Sequence, residues 1–212
     1  MDLSSTPITK RRSDLILDVI ERGIVIGLFV ALCLNLGRDF LYHGHIVSLL
    51  FVVGESIPVA LVLVRRPAQP LSRRPRDWLL TLSGTCLPLL VRAGGQALLA
   101  PVICGLIILL GFAIQVAAKI SLGRSFGLVP AIRGVKCGGL YRIVRHPIYA
   151  GYVLMDLGFL LANASDWNGA LYVIAYSAQL GRLFAEEQLL MEDPIYRAYV
   201  AQTRWRILPW VF

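Results

Sequence analysis

Charge is what this sequence has least of. Only 16% of its 212 residues are charged, where a soluble domain carries roughly 25%. That deficit excludes a water-facing surface over much of the chain and points to lipid as the solvent. Acidic residues are the scarcer sign, 13 Asp and Glu against 21 Lys and Arg. Cysteine is sparse too, and no two of the four have metal-ligand spacing. Cys33, Cys86 and Cys104 fall within apolar stretches and Cys137 in a basic loop, so they read as small buried hydrophobes, with no disulfide frame and no metal set. A Gly-x-Gly-x-x-Gly turn after a strand is missing, as is any strand–helix alternation, which excludes a doubly wound nucleotide-binding domain. There is no internal repeat, low-complexity tract or domain linker, and the missing inverted repeat counts against a transporter.

Hydrophobic residues make up 57% of the chain, and they are gathered into stretches. Four of these, residues 19–36, 46–64, 97–118 and 147–163, approach the ~20 residues a helix needs to cross a bilayer. Two more, 78–91 and 171–185, are shorter or less pure. If all six cross, 19 of the 21 cations fall on one side, with Arg38 and Arg92 opposite, which is the bias expected of cytoplasmic loops. The expected fold is therefore all-α: a polytopic transmembrane helix bundle of five to six spans, with a folded cytoplasmic loop and a short C-terminal interfacial helix. Both termini are expected in the cytoplasm, at a bacterial inner membrane or at the endoplasmic reticulum. The net charge of +8 then reflects topology and attraction to anionic lipid headgroups. Nucleic acid is not an expected partner; the lipid bilayer is. Residues 1–13 do not read as a secretory signal, because the apolar stretch that follows is long enough to stay in the membrane.

Residues 1–118 supply spans and loops, and the polar chemistry lies in 119–212. In the first part Glu55, near Pro58, is an intramembrane carboxylate that is either functional or bonded to a neighbouring helix. In the second, residues 119–139 form a loop with Gly123, Gly127, Gly134, Gly138 and Gly139, whose apolar residues argue for a folded, backbone-rich structure. Next comes Gly138-Gly139-Leu140-Tyr141-Arg142-Ile143-Val144-Arg145-His146-Pro147-Ile148-Tyr149-Ala150-Gly151. Pro147 suits the first position of a helix and His146 its N-cap. The free N–H groups there, with Arg142 and Arg145 ahead of them, suit an anion. The plainer alternative is a capped span with basic flanks.

A second constellation, Arg182-Leu183-Phe184-Ala185-Glu186-Glu187, ends the last apolar stretch. Arg182 and Glu186 share a helical face, while Glu187 points about 100° away. The short turn 164–169 makes the last two spans antiparallel neighbours and brings His146 close to Glu186. A third group, Tyr196, Tyr199, Arg204, Arg206 and Pro209 with Trp205 and Trp210, resembles an interfacial segment.

Taken in order, the three groups resemble the isoprenylcysteine carboxyl methyltransferases and their phospholipid methyltransferase relatives. The resemblance runs from about Leu122 to Pro209, through Gly-Leu-Tyr-Arg-x-x-Arg-His-Pro-x-Tyr-x-Gly, Arg-x-x-x-Glu-Glu-x-x-Leu and Tyr-x-x-Tyr. It implies an integral-membrane enzyme using S-adenosyl-L-methionine. By the same likeness Tyr141, His146, Pro147, Ile148 and Tyr149 contact the cofactor, and Arg133, Gly134, Val135 and Lys136 do so mainly by backbone. Glu186 holds a polar part of it, Arg182 faces the methyl acceptor, and Arg204 or Arg206 supplies a second acceptor cation. Asp193-Pro194 stands where many relatives have glycine before the first tail tyrosine, so the alignment of the two tail arginines stays open.

The acceptor is amphipathic or lipid-linked and enters from the membrane. A carboxylate or thiolate is already nucleophilic, whereas a phospholipid amine must first lose a proton, for which Glu187 is the candidate base. Two other classes remain as alternatives: a nicotinamide-dependent membrane reductase of the sterol-reductase type, and a non-catalytic membrane protein.

Overall fold

Proline marks where several of the helices begin. The computed structural model describes residues 12–64, 75–122 and 137–212. α1 runs Arg12–His43, α2 Ile46–Val64, α3 Pro75–Cys86, α4 Pro101–Leu122, α5 Pro147–Ala162, α6 Asp166–Leu190 and α7 Pro194–Gln202. Prolines open α3, α4, α5 and α7, at the position where a missing N–H costs nothing. Ser165 caps α6 by accepting from the Asn168 N–H at 3.2 Å. Asp193 caps α7 through the Ile195 N–H at 2.8 Å, as short polar side chains do at helix starts. The all-α expectation holds among the described residues, where extended pairing is limited to isolated bridges, Gln96 with Ala164 and Val144 with Trp205.

Two helical segments, Arg22–His43 and Pro101–Ser121, have the length and apolarity to cross a membrane. Ile46–Ala60, Leu79–Leu90 and Pro147–Ala162 are apolar but shorter. The expected count of five to six crossings is thus not met by length and composition alone. α6 carries Gln179, Arg182, Glu186 and Glu187 along its second half, and that polarity removes it from the apolar class.

α4 and α5 form the closest-packed pair, and glycine is the reason. A Cβ on Gly111 of α4 would lie 2.7 Å from the Gly151 carbonyl oxygen and from the Met155 nitrogen. A Cβ on Gly158 of α5 would lie 2.9 Å from the Cys104 carbonyl oxygen. Small residues let the two backbones touch, as at close helix crossings in membranes. The core beside this seam contains Phe51, Cys104, Ile108, Met155 and Phe159, all fully buried, with the Phe51 and Phe159 rings 4.4 Å apart.

α6 packs chiefly on α3, where Gln179 Nε2 donates to the Gly84 carbonyl at 3.0 Å. The expected α5–α6 hairpin therefore forms with its members leaning on different partners. They meet through side chains, as where the Tyr176 hydroxyl donates to Asp156 at 2.5 Å.

One end of the bundle is closed by the segment before α4. Arg92 N–H donates to Asn168 Oδ1 at 3.0 Å, Gly94 N–H to Asn163 Oδ1 at 3.2 Å, and Gln96 and Ala164 exchange backbone bonds. The other end gathers the start of α5, the end of α6, and α7.

Candidate functional site at the α5 and α6 ends

The site begins where the chain reverses onto α5. Residues Gly139–Arg142 form a 3-10 turn that opens with Gly139 at φ +60. A side chain there would also run into the Ser121 hydroxyl at the end of α4. This glycine serves the backbone and α4, whereas Gly138 has open space around it.

His146 is the residue before α5 and Pro147 its first, as expected, but the cap is not a side-chain cap. The C-terminal tail takes up the N–H groups ahead of the helix: Arg145 N–H donates to Trp205 O at 2.9 Å and His146 N–H to Arg206 O at 2.8 Å. The anion-binding edge at this helix start is accordingly narrower than the sequence implies.

Glu187 is the hub of a buried ion cluster. Its Oε1 accepts from Arg145 Nη1 at 3.0 Å and lies 3.3 Å from His146 Nε2, and its Oε2 accepts from Arg206 Nε at 2.7 Å. Arg145 also donates from Nε to Thr203 O at 2.7 Å and from Nη2 to Arg204 O at 2.9 Å. The Arg206 guanidinium sits 5.7 Å from the Phe184 ring and 5.2 Å from that of Phe212. Arg145 and Arg206 thereby staple the tail to α6. Burial alone would raise the Glu187 carboxyl. The hydrogen bonds from His146 and Arg206, the pull of His146 and the bond from Arg145 outweigh it and hold the group down to about 2. A carboxylate held ionised by three partners is a poor proton acceptor, so this geometry favours Glu187 as a clamp over Glu187 as a base.

The tail arginines separate cleanly. Arg206 enters the cluster, while the Arg204 side chain is exposed and only its carbonyl takes part. Arg204 as an acceptor-binding cation is not what this geometry favours.

Beside the clamp lies a second, less saturated group. Tyr149 of α5 stands edge-on to His146, ring centroids 5.6 Å apart, and its hydroxyl donates to Glu186 Oε2 at 3.4 Å. Arg182 of α6 lies over the Tyr149 ring at 5.8 Å. Although 9% exposed, Arg182 has no carboxylate partner among the described residues, and its Nε has no hydrogen bond there. Glu186, one turn along, does not pair with it. Tyr141 is buried below, and burial, then the Glu186 charge, push its phenol above the ordinary range. Tyr199 ties α7 to this turn by donating to the Tyr141 carbonyl at 2.6 Å, and burial raises its own phenol to about 12.

The structure thus brings together Tyr141, His146, Pro147, Ile148, Tyr149, Arg182, Glu186 and Glu187. Arg133, Gly134, Val135 and Lys136, and most of the expected loop, lie outside the described residues. His146 meets Glu187 where Glu186 was expected, because Glu187 turns toward α7 and the tail. Sequence reasoning credited Arg145 only with adding to the field. Its Arg-His order at a helix start, facing paired acids, was the available signal for an ion cluster. Glu55 is buried in α2, within electrostatic reach of Lys119, whose Nζ donates to Gln115 at 2.5 Å.

Residues 99–198 match the family model described as phospholipid methyltransferase, a stretch that takes in all of α4, α5 and α6 and half of α7. Over those residues, a little under half of its length, the chain is similar to the phospholipid methyltransferases. The last turn of α7 and the tail carrying Arg206 lie beyond it. No curated protein and no solved structure matches the chain.

Proposed function

We propose that the chain is a multi-pass membrane methyltransferase that takes a methyl group from S-adenosyl-L-methionine to an amphipathic, lipid-like acceptor. The observation that carries this reading is Arg182. A guanidinium nine-tenths buried without an anion is costly unless a ligand supplies one. This one lies over the ring of Tyr149, whose hydroxyl bonds Glu186.

The residues present fit the cofactor. Glu186 is half-buried and, among the described residues, receives only the long bond from Tyr149, which leaves acceptor capacity for an ammonium or a ribose hydroxyl. Pro147 and Ile148 offer the start of α5, and the rings of Tyr149 and Tyr141 offer apolar faces. When bound, S-adenosyl-L-methionine supplies a sulfonium-activated methyl group. The chain's own part is positioning and exclusion of water, the principal needs of an in-line transfer. Arg182 orients the acceptor's anionic group, whether that is the reacting carboxylate or a phosphate next to the reacting amine.

With Glu187 ionised in the clamp, an amine acceptor has Glu186 as the nearest unclamped carboxylate. A carboxylate or thiolate acceptor needs no base. An isoprenylcysteine-like compound and a phospholipid amine both remain acceptors of the right shape. Membranes carrying the chain, incubated with S-adenosyl-L-methionine labelled in the methyl group, should yield a labelled lipid-extractable product. No transfer above that of membranes carrying the R182A/E186A double variant would overturn the reading.

A further inference from the structure

At the end of the bundle away from this site, α1 passes into α2 through His43-Gly44-His45. Gly44 adopts φ +70 and its N–H donates to Phe40 O at 2.8 Å, a glycine cap of the kind that ends many helices. The reversal is so short that the side chains on both sides of it converge on Asp39. His43 Nδ1 lies 3.3 Å from Asp39 Oδ1 and His45 Nδ1 3.0 Å from the same oxygen. Ser48, in the first turn of α2, donates to Asp39 Oδ2 at 2.5 Å. Asp39 and Ser48 are buried; His43 and His45 are largely exposed, their rings stacked 5.5 Å apart and 20° from parallel.

We propose that Asp39, His43 and His45 form a binding site for a zinc-type divalent cation. One donor atom from each residue can be chosen so that all three lie within 4.8 Å of one another. Ligands about 2.0–2.1 Å from a tetrahedral ion are ~3.3 Å apart. The two imidazole-to-carboxylate distances already have that spacing. The remaining edge, between the two imidazoles, closes by rotation of side chains that are more than half exposed.

Two imidazoles and a carboxylate are a donor set for Zn2+ and its first-row neighbours, while Mg2+ and Ca2+ prefer oxygen. Three protein ligands with exposed imidazoles leave a fourth position to water or an outside ligand. The Ser48 hydroxyl orients the carboxylate from behind, as outer partners of ligating groups do. The C-terminal end of α1, where carbonyls are left over, adds a field that favours a cation. Two imidazoles converge on Asp39, with His45 Nδ1 at 3.0 and 3.1 Å from its two oxygens and Ser48 donating to Oδ2, a convergence that a shared cation would use. Bound there, the ion clips α1 to α2 independently of methyl transfer.

The test uses the full chain, without a polyhistidine tag, purified in detergent and stripped with chelator. Zn2+ is titrated by calorimetry, with metal content measured after dialysis and thermal unfolding followed with and without Zn2+. Expected are one Zn2+ per chain and a rise in melting temperature on adding Zn2+. Affinity should weaken at least tenfold in D39N and in H43A/H45A, and by a smaller factor in S48A. H43A/H45A should keep the melting temperature of the stripped wild type, since both histidines are largely exposed. Absence of stoichiometric binding, or binding undiminished in H43A/H45A, overturns the proposal; retention in that variant would assign the ion to Cys137 or His146 instead.

Discussion

At the residue scale, Glu186 and Glu187 are adjacent acids with opposite duties, and the difference is decided by what faces them. Glu187 points at two arginines and a histidine; Glu186 points at one tyrosine hydroxyl. The depressed Glu187 carboxyl fixes the sign of a pH dependence. Its folded value of about 2 lies below its ordinary value of 4.5, so its contribution to stability is complete above about pH 5.5 and is lost as pH falls toward 2. E187Q should therefore unfold at lower temperature than wild type at pH 7, by roughly 1–3 kcal/mol once the partial exposure of Arg206 is allowed for. The gap should narrow between pH 5 and 3. A pH-independent gap would remove the ion cluster as its source.

Arg182 behaves differently because it has no carboxylate partner among the described residues. R182A should keep near-wild-type stability and cofactor affinity while kcat/KM for the acceptor falls about 30- to 100-fold, the ~2–3 kcal/mol of a charged hydrogen bond. R182K should recover only part of this, since an ammonium lacks the planar fork. Kinetics on a purified acceptor decide it. Loss of cofactor binding with acceptor use intact would exchange the roles of Arg182 and Glu186.

At the element scale, the glycines of the motif divide between packing and conformation. In G111A the new Cβ would meet backbone atoms of α5 at 2.7 Å, and backbone cannot swing away. Overpacking of about 1–3 kcal/mol follows, seen as a melting temperature several degrees lower. G139A should also destabilise, through its positive φ, whereas G138A should be neutral. Thermal unfolding of the three side by side separates the two kinds of glycine. The contrast also shows what was legible beforehand. Pro147 after His146 announced a helix start by local chemistry alone, and the spacing of Arg182 from Glu186 announced a shared face. The turn of Glu187 toward the tail was not legible, because it depends on Arg145 and Arg206 meeting across 42 and 19 residues of chain. Nor could the three-residue reversal that stacks His43 on His45 be read before Gly44 was seen in the left-handed region.

At the scale of the whole molecule, the question is how a chain with two helices among its described residues long enough to span a membrane holds its polar end groups at one surface. The direction of the helices answers it. α4 runs from the Gln96–Ala164 end toward the turn that Gly139 opens, α5 returns, and α6 comes back to Glu187. Five passes follow if the three shorter apolar segments cross as well, and six if α6 crosses too. The cation bias then places the clamp, the exposed Cys137 and both termini on the cytoplasmic side, with Arg38, Arg92 and the histidine pair opposite. The expectation can be read with an impermeant maleimide on right-side-out and inverted vesicles. A variant whose sole cysteine is Cys137 should be labelled only in inverted vesicles. A variant with Cys137 removed and the exposed Gln96 replaced by cysteine should be labelled only in right-side-out vesicles. Because Gln96 is bonded to Ala164, the second result also reports on the α5–α6 turn. Labelling of both from one side would mean that α4 does not cross, and the acceptor would then have to reach Arg182 from water instead of from lipid.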